Sequence, residues 1–292
     1  MKKEILYNKK SREELQAELQ NETFIRKTFS FYRYINIDQP EVLRNELYRS
    51  WSKLNIFGRI YISTEGINAQ GSCPESNWGE LIENLNSNVI LKKMPLKIAI
   101  EDGESFYKLK IKVKDEIVAY NVGKEEYNMN EVGHHLSAEE FNKKMAQDNT
   151  HVVDMRNYYE SEVGRFENAI IPDVDTSREL LPEVKKLLKG HEDDEVLLYC
   201  TGGIRCEKAS SYLIHNGFKD VNQLNGGIIQ YANDIKKNKA KSKFIGKNFV
   251  FDHRLGEKIT DDIISICHQC KSQANIHINC KNDACHILFI QC

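Results

Sequence analysis

No stretch of this sequence is apolar for long enough to cross a bilayer. The longest hydrophobic runs, such as VLLYC and ILFIQC, fall far short of the roughly 20 residues that a helical span needs. The opening MKKEILYNKKSREELQ has no apolar core of signal-peptide length, so a cytoplasmic location with no membrane partner is expected. There is no internal repeat, and the one biased tract is the lysine-rich KKNKAKSKFIGK. No flavin or nicotinamide fingerprint is present, so no nucleotide cofactor is expected, and no set of two histidines and one carboxylate is legible. Net charge is nearly absent as well, −2 at neutral pH. That near-zero sum hides an asymmetry: from Lys236 onward ten Lys/Arg face five Asp/Glu, whereas residues 1–235 carry a balance of −7.

What is present is an ordinary globular composition, 40% hydrophobic and 29% charged, over 292 residues. That length corresponds to about two domains at roughly 150 residues each. The eight cysteines, with no secretion signal, read as thiolates for catalysis or metal and not as a disulfide scaffold. Cys200 and Cys206 share one loop, and five more (Cys267, Cys270, Cys280, Cys285, Cys292) crowd the last 26 residues.

Periodicity divides the chain. KTFSFYRYINI reads as a strand, PEVLRNELYRSWSKL as a helix with proline in its first turn, FGRIYIST and GINAQGS as two strands, PESNWGELIENL as a helix and LKIAI as a strand. This βαββαβ order predicts an α+β, ferredoxin-like N-terminal domain over residues 1–100. Residues 101–135 read as a connector with strand-like pieces, FYKLKIKV and EIVAY. Helices then alternate with short buried strands (HVVDM, NAIIP, EVLLYC, DVNQL) over residues 136–236. That pattern predicts an α/β domain with a mostly parallel sheet covered on both faces. Residues 237–292 read as a basic linker and a cysteine-rich segment.

EVLLYCTGGIRCEKASSYL carries the chemistry. An apolar strand stops at Cys200, two glycines follow, and a helix is expected to start near Cys206. A cysteine at the carboxyl end of a parallel strand faces free backbone N–H groups and the positive end of the next helix, both of which favour a thiolate. Gly202 and Gly203 let those amides converge, and Arg205 adds a fixed positive charge. Cysteine is also among the residues most often simply buried in a core, and that reading stands beside the first. A cysteine phosphatase is disfavoured, because its phosphate cradle needs five residues between cysteine and arginine and only four separate Cys200 from Arg205.

The loop Cys200, Thr201, Gly202, Gly203, Ile204, Arg205, Cys206 and the helix after it resemble the active-site loop of rhodanese-type sulfurtransferases. VVDMRNYYESEVGRFENAIIP resembles the upstream rhodanese segment through Asp154, Arg156, Glu160 or Glu162, Gly164, Phe166 and Ala169, with Arg165 where a histidine is usual. VNQLNGGIIQYA resembles the closing Leu-x-Gly-Gly and helix. A wider resemblance covers nearly the whole chain. FGRIYISTEGINAQ, DMRNYYESEVGRFENA, YCTGGIRCEKAS, GKNFVFDHRLGEKITDDI and CHQC with NCKNDACHILFIQC are together similar to the tRNA uridine-34 5-hydroxylases. The resemblance implies a central rhodanese domain, O2 as co-substrate, a tRNA anticodon stem-loop as partner, and oxygen insertion at C5 of the wobble uridine. A persulfide-carrying sulfurtransferase and an idle RNA-binding scaffold are the rival readings.

Around the loop, Asp154 and Arg156 are expected to brace it as an ion pair, with substrate contact the alternative. Cys206 either resolves an oxidised Cys200 or packs quietly. Cys267, Cys270, Cys280 and Cys285 are expected to form a structural zinc site, with His268, His277, His286 or Cys292 as substitutes. Ala274 stands where the hydroxylase pattern has another cysteine. Lys236, Lys237, Lys239, Lys241, Lys243 and Lys247 are expected to meet RNA phosphates. Arg59, Glu65, Asn68 and Gln70, together with Phe31, Tyr32 and Tyr34, are a second candidate RNA surface, and Phe31, Tyr32 and Tyr34 read first as core aromatics.

Overall fold

The computed structural model describes residues 6–282, 284–285 and 287–292. The chain forms two compact units. The first reaches to Ile117 and takes in Asp252–Arg254, and the second is made of Val118–Phe251 and Leu255–Cys292.

In the first unit a short helix α1 (Arg12–Gln20), closed by a capping box of Ser11 and Glu14, precedes β1 (Arg26–Tyr34). Helix α2 (Pro40–Lys53) follows, with proline where its missing N–H costs nothing, and then β2 (Phe57–Ser63) and β3 (Gly66–Pro74). Helix α3 (Trp78–Ser87) and β4 (Lys97–Ile98) complete the expected order. The strands lie as β4-β1-β3-β2, the arrangement of the split unit read from periodicity. The connector contributes more than a connection: β5 (Leu109–Val113) adds a fifth strand parallel to β2, whereas EIVAY forms no strand. Phe29 and Phe31 alternate inward on β1 and meet Trp51, Ile60, Ile62, Ile67 and Ala69 in one buried cluster. Asp252–Arg254 joins this unit as a clasp. The His253 amide donates to the Ser105 carbonyl at 3.1 Å, and the Arg254 guanidinium reaches the Glu101 carbonyl at 2.8 Å.

The second unit is built on the parallel order β6 (His134–Leu136), β10 (Asp220–Leu224), β9 (Glu195–Tyr199), β7 (Thr150–Asp154). Helices α4 (Ala138–Lys144), α6 (Ser177–Leu187), α7 (Ile204–His215) and α8 (Gly227–Asn238) alternate with these strands. Val196, Leu198 and Cys200 point into one buried cluster and Leu197 and Tyr199 into the other, so the run EVLLYC is apolar throughout because both of its faces are covered. NAIIP, expected as a strand, shrinks to one parallel bridge between Ile170 and Val153; Asn168 at φ 59° and Pro172 bound it.

Two short elements, α5 (Tyr158–Glu162) and β8 (Gly164–Phe166), lie between β7 and α6. The lysine-rich stretch is not the linker expected of it. Lys236 and Lys237 close α8, Lys239 turns the chain at φ 51°, and β11 (Phe244–Asn248) pairs antiparallel with β8. Phe244, Gly246 and Asn248 alternate inward there, a period of two that the lysines mask in composition. After β12 (Glu257–Lys258), a hairpin of β13 (His277–Asn279) and β14 (Leu288–Ile290) ends the described chain. Ala274 is buried with Cys267, Ile290, Phe249 and Val163 in a small core of its own. Among the described residues no helix is long and apolar enough to cross a membrane.

Candidate active site

Cys200 follows the last residue of β9, at the carboxyl edge of the parallel sheet, where crevices in such folds collect functional groups. The loop behind it is tight. Gly203 sits at φ 96° and its amide donates to the Cys200 sulfur at 3.1 Å. Helix α7 begins at Ile204, earlier than the start expected near Cys206, so Arg205 and Cys206 lie in its first turn and their amides also face the sulfur. The Gly226-Gly227 pair holds the loop from behind. The amides of Ile228 and Ile229 donate to the carbonyls of Cys200 and Thr201 at 3.0 and 3.1 Å. Gly227 adopts φ +68°, and a Cβ on it would lie 2.5 Å from the Cys200 carbonyl oxygen, so only glycine fits.

Burial pushes the Cys200 thiol up, but the Cys206 thiol, the Arg205 guanidinium and the two helix-start amides outweigh it and bring the thiol down to about 6. Cys206 moves the opposite way, well above its ordinary value, through burial and its hydrogen bond to Cys200. At neutral pH the pair is therefore one thiolate accepting from one thiol. The thiolate fraction should rise as pH climbs through about 6. The difference in thiolate ultraviolet absorbance between the wild type and Cys200→Ser, followed against pH, measures it. A midpoint at or above the free-thiol value of about 8.5 would contradict the cradle.

Arg205 supplies the fixed positive charge expected of it, and Glu160 fixes it in place. Its guanidinium forms a two-pronged pair with buried Glu160, at 2.5 and 2.9 Å, and reaches Thr201 Oγ1 at 3.3 Å. Glu160, left undecided against Glu162, is thus the carboxylate of the site; Glu162 instead meets His268 at 3.1 Å. Tyr120 donates to the Arg205 carbonyl at 3.0 Å, a contact with no signal in the sequence because it spans 85 positions.

Asp154 and Arg156 have no exposed surface. The Arg156 guanidinium holds both Asp154 oxygens, at 2.9 and 2.6 Å, and the Gly164 carbonyl at 2.7 Å. Ser161 and Tyr199 each donate to Asp154 Oδ2 at 2.7 Å. The Arg156 guanidinium also reaches the Glu160 carbonyl at 3.4 Å, so this pair braces the turn that presents Glu160 to Arg205.

The other sequence candidates scatter. Cys267, Cys270 and Cys292 come together with their sulfurs within 4.8 Å of one another, and Cys280 and Cys285 are not in that group. The hairpin explains the difference. Cys280 pairs with Ile287 at its turn, and Cys292 lies two residues past its open end. Of the substitutes, Cys292 joins the group; His268 and His277 do not, and His286 lies outside the described residues.

One two-histidine, one-carboxylate set, which the sequence did not disclose, is present among the described residues: His151, His191 and Asp194. His191 and Asp194 sit just before β9 and His151 near the start of β7; a strand rise of about 3.3 Å per residue puts Asp194 roughly 20 Å from Cys200, too far to share a substrate atom. Lys236, Lys237, Lys239 and Lys241 are exposed, whereas Lys243 and Lys247 are half-buried. Phe31 is core, while Tyr32 and Tyr34 lie half-buried on the opposite face of the sheet. Arg59 pairs in register with Gln70, Tyr61 pairs with Asn68, and Glu65 accepts the Ile117 amide at 2.8 Å.

This geometry has relatives. Residues 26–117 match the UPF0176 acylphosphatase like domain, residues 137–234 the rhodanese-like domain, and residues 245–292 the rhodanase C-terminal domain. The tRNA uridine(34) hydroxylase of Leptospira interrogans is 52% identical over 292 residues, covering 100% of this chain and 80% of that protein. The one of Photorhabdus laumondii is 48% identical over 290 residues, covering 99% and 82%. Yersinia pestis has another at 47% over 290 residues, with the same coverage. The matched lengths take in both units and the cysteine-rich end, and at this identity the chain belongs to the tRNA uridine(34) hydroxylase family.

Proposed function

We propose that this chain hydroxylates C5 of the wobble uridine in the tRNA anticodon stem-loop, with O2 as co-substrate and 5-hydroxyuridine as product, and that Cys200 is its nucleophile. The observation that carries this reading is the Cys200 thiolate cradle, in a chain about half identical over its length to proteins named tRNA uridine(34) hydroxylase. The thiolate adds to C6 of uracil and makes C5 electron-rich, so that C5 meets the oxidant; loss of the C5 proton with expulsion of the thiolate from C6 then restores the C5=C6 double bond. One oxygen atom enters C5. The other leaves as water, which takes two electrons and two protons from a reductant. The exposed lysines at the end of α8 and just after it supply phosphate contacts that position the RNA without reading it.

A second reading, sulfur transfer through a Cys200 persulfide, draws support from the rhodanese-like match and from burial. The Cys200 sulfur has no exposed surface, and a second sulfur on it would extend the reactive atom by about 2 Å. Mass spectrometry of tRNA nucleosides, with and without the protein, separates the two. A uridine product heavier by one oxygen supports hydroxylation; thiouridine supports sulfur transfer and overturns the first reading.

A further inference from the structure

The cysteine-rich end carries a site of its own. Residues 267–270 form a tight knuckle: the Lys271 amide donates to the Cys267 carbonyl at 3.0 Å, the Cys267 amide to Ser272 at 2.7 Å, and Lys271 takes φ 65° to turn back. The His268 amide donates to the Ile290 carbonyl at 2.9 Å, which fastens the knuckle to β14 and places Cys292, two residues on, beside it. We propose that Cys267, Cys270 and Cys292 bind a divalent thiophilic ion, zinc by preference, as three of its four ligands.

Distances support this. A tetrahedral zinc with sulfur at about 2.3 Å requires sulfurs about 3.8 Å apart. Cys270 and Cys292 are 3.6 Å apart, and all three sulfurs lie within 4.8 Å of one another. A disulfide would need about 2.05 Å between sulfurs and would leave the third cysteine unused. Three thiol groups converging without an ion would on ionisation repel one another; a divalent cation reverses that sign. The surroundings are arranged as an outer shell: the amides of Cys270, Cys292 and Gln269 face the Cys267 sulfur, and Ser272 Oγ lies 2.9 Å from Cys270 Sγ. The core beneath, Val163, Phe249, Ala274 and Ile290 around Cys267, is small for a segment of this length. The ion would supply cohesion that apolar burial does not.

The ligand set differs from the one that spacing alone proposes, and the difference is the test. The full chain, reduced with a phosphine, is titrated with zinc and separately with cobalt, whose thiolate charge-transfer absorbance reports sulfur ligation. Wild type, Cys270→Ser, Cys292→Ser, Cys280→Ser and Cys285→Ser are compared. Cys270 and Cys292 are exposed, so their serine variants remove a ligand without opening the core. One ion per chain is expected in wild type. Affinity should fall by more than the roughly 10- to 100-fold cost of losing an outer-shell partner in Cys270→Ser and Cys292→Ser, and should stay unchanged in the other two. Retention of wild-type affinity in Cys292→Ser, loss in Cys280→Ser or Cys285→Ser, or no uptake by reduced wild type would each overturn the assignment.

Discussion

Cys200→Ala is expected to bring uridine modification below detection, a fall on the order of 10⁴-fold or more in turnover, while the dissociation constant for tRNA changes by less than about threefold. The first half of this follows from geometry. Of the two loop cysteines, Cys200 is the one that lies where the Gly203, Arg205 and Cys206 amides converge, and its thiol is brought down to about 6 while that of Cys206 moves up. The second half follows from where RNA affinity resides, in cationic side chains and not in one buried sulfur. Cys206→Ala should keep measurable activity. Its thiol donates to Cys200 and can reset an oxidised Cys200, a step that external reductant replaces, so its loss should raise the Cys200 midpoint and slow turnover without ending it. Nucleoside mass spectrometry on tRNA incubated with each variant, alongside filter binding, reads both halves. Wild-type rates of product formation by Cys200→Ala would reduce the loop to a scaffold.

The largest stability effect is expected from Arg156→Ala. Removing the guanidinium strands Asp154 as an unpaired, fully buried carboxylate and leaves the Gly164 carbonyl without its donor. Breaking such a pair costs about 3–5 kcal/mol, which for a unit of this size lowers the melting temperature by roughly 6–20 °C. Arg156→Lys should recover little of that loss, because one ammonium cannot span both Asp154 oxygens and a carbonyl at once. Calorimetric melting of the two variants decides the matter. An unchanged melting temperature together with lost activity would move Arg156 from the frame of the loop to contact with substrate.

The Cys200 loop was legible because everything that defines it is local: an apolar strand, two glycines and a helix within about twenty residues. Both folds were legible for a related reason, since helical and strand periods are local signals and their order fixes a small set of architectures. What was hidden depends on chain pairing. Glu160 reaches Arg205 across 45 positions, and nothing around either residue announces it. Cys292 displaces Cys280 and Cys285 because the β13–β14 register decides which end of the hairpin faces the knuckle, and the count of residues between cysteines does not carry that register. The strand at Phe244–Asn248 was lost in a lysine-rich composition although its alternation is plain once β8 is beside it.

The clasp at Asp252–Arg254 has a consequence in time. The Arg254 guanidinium closes on the Glu101 carbonyl across 153 positions. At ribosomal speeds of about 5–20 residues per second, Glu101 precedes its partner by roughly 8 to 30 seconds. For most of that interval, once β5 (Leu109–Val113) has been made, the sheet has all five strands, yet the His253 and Arg254 donors to the Ser105 and Glu101 carbonyls do not exist. Synthesis of Asp252–Arg254, not completion of the sheet, is therefore the event that closes the N-terminal unit, and slowing translation between Val113 and Asp252 would lengthen the life of its open form.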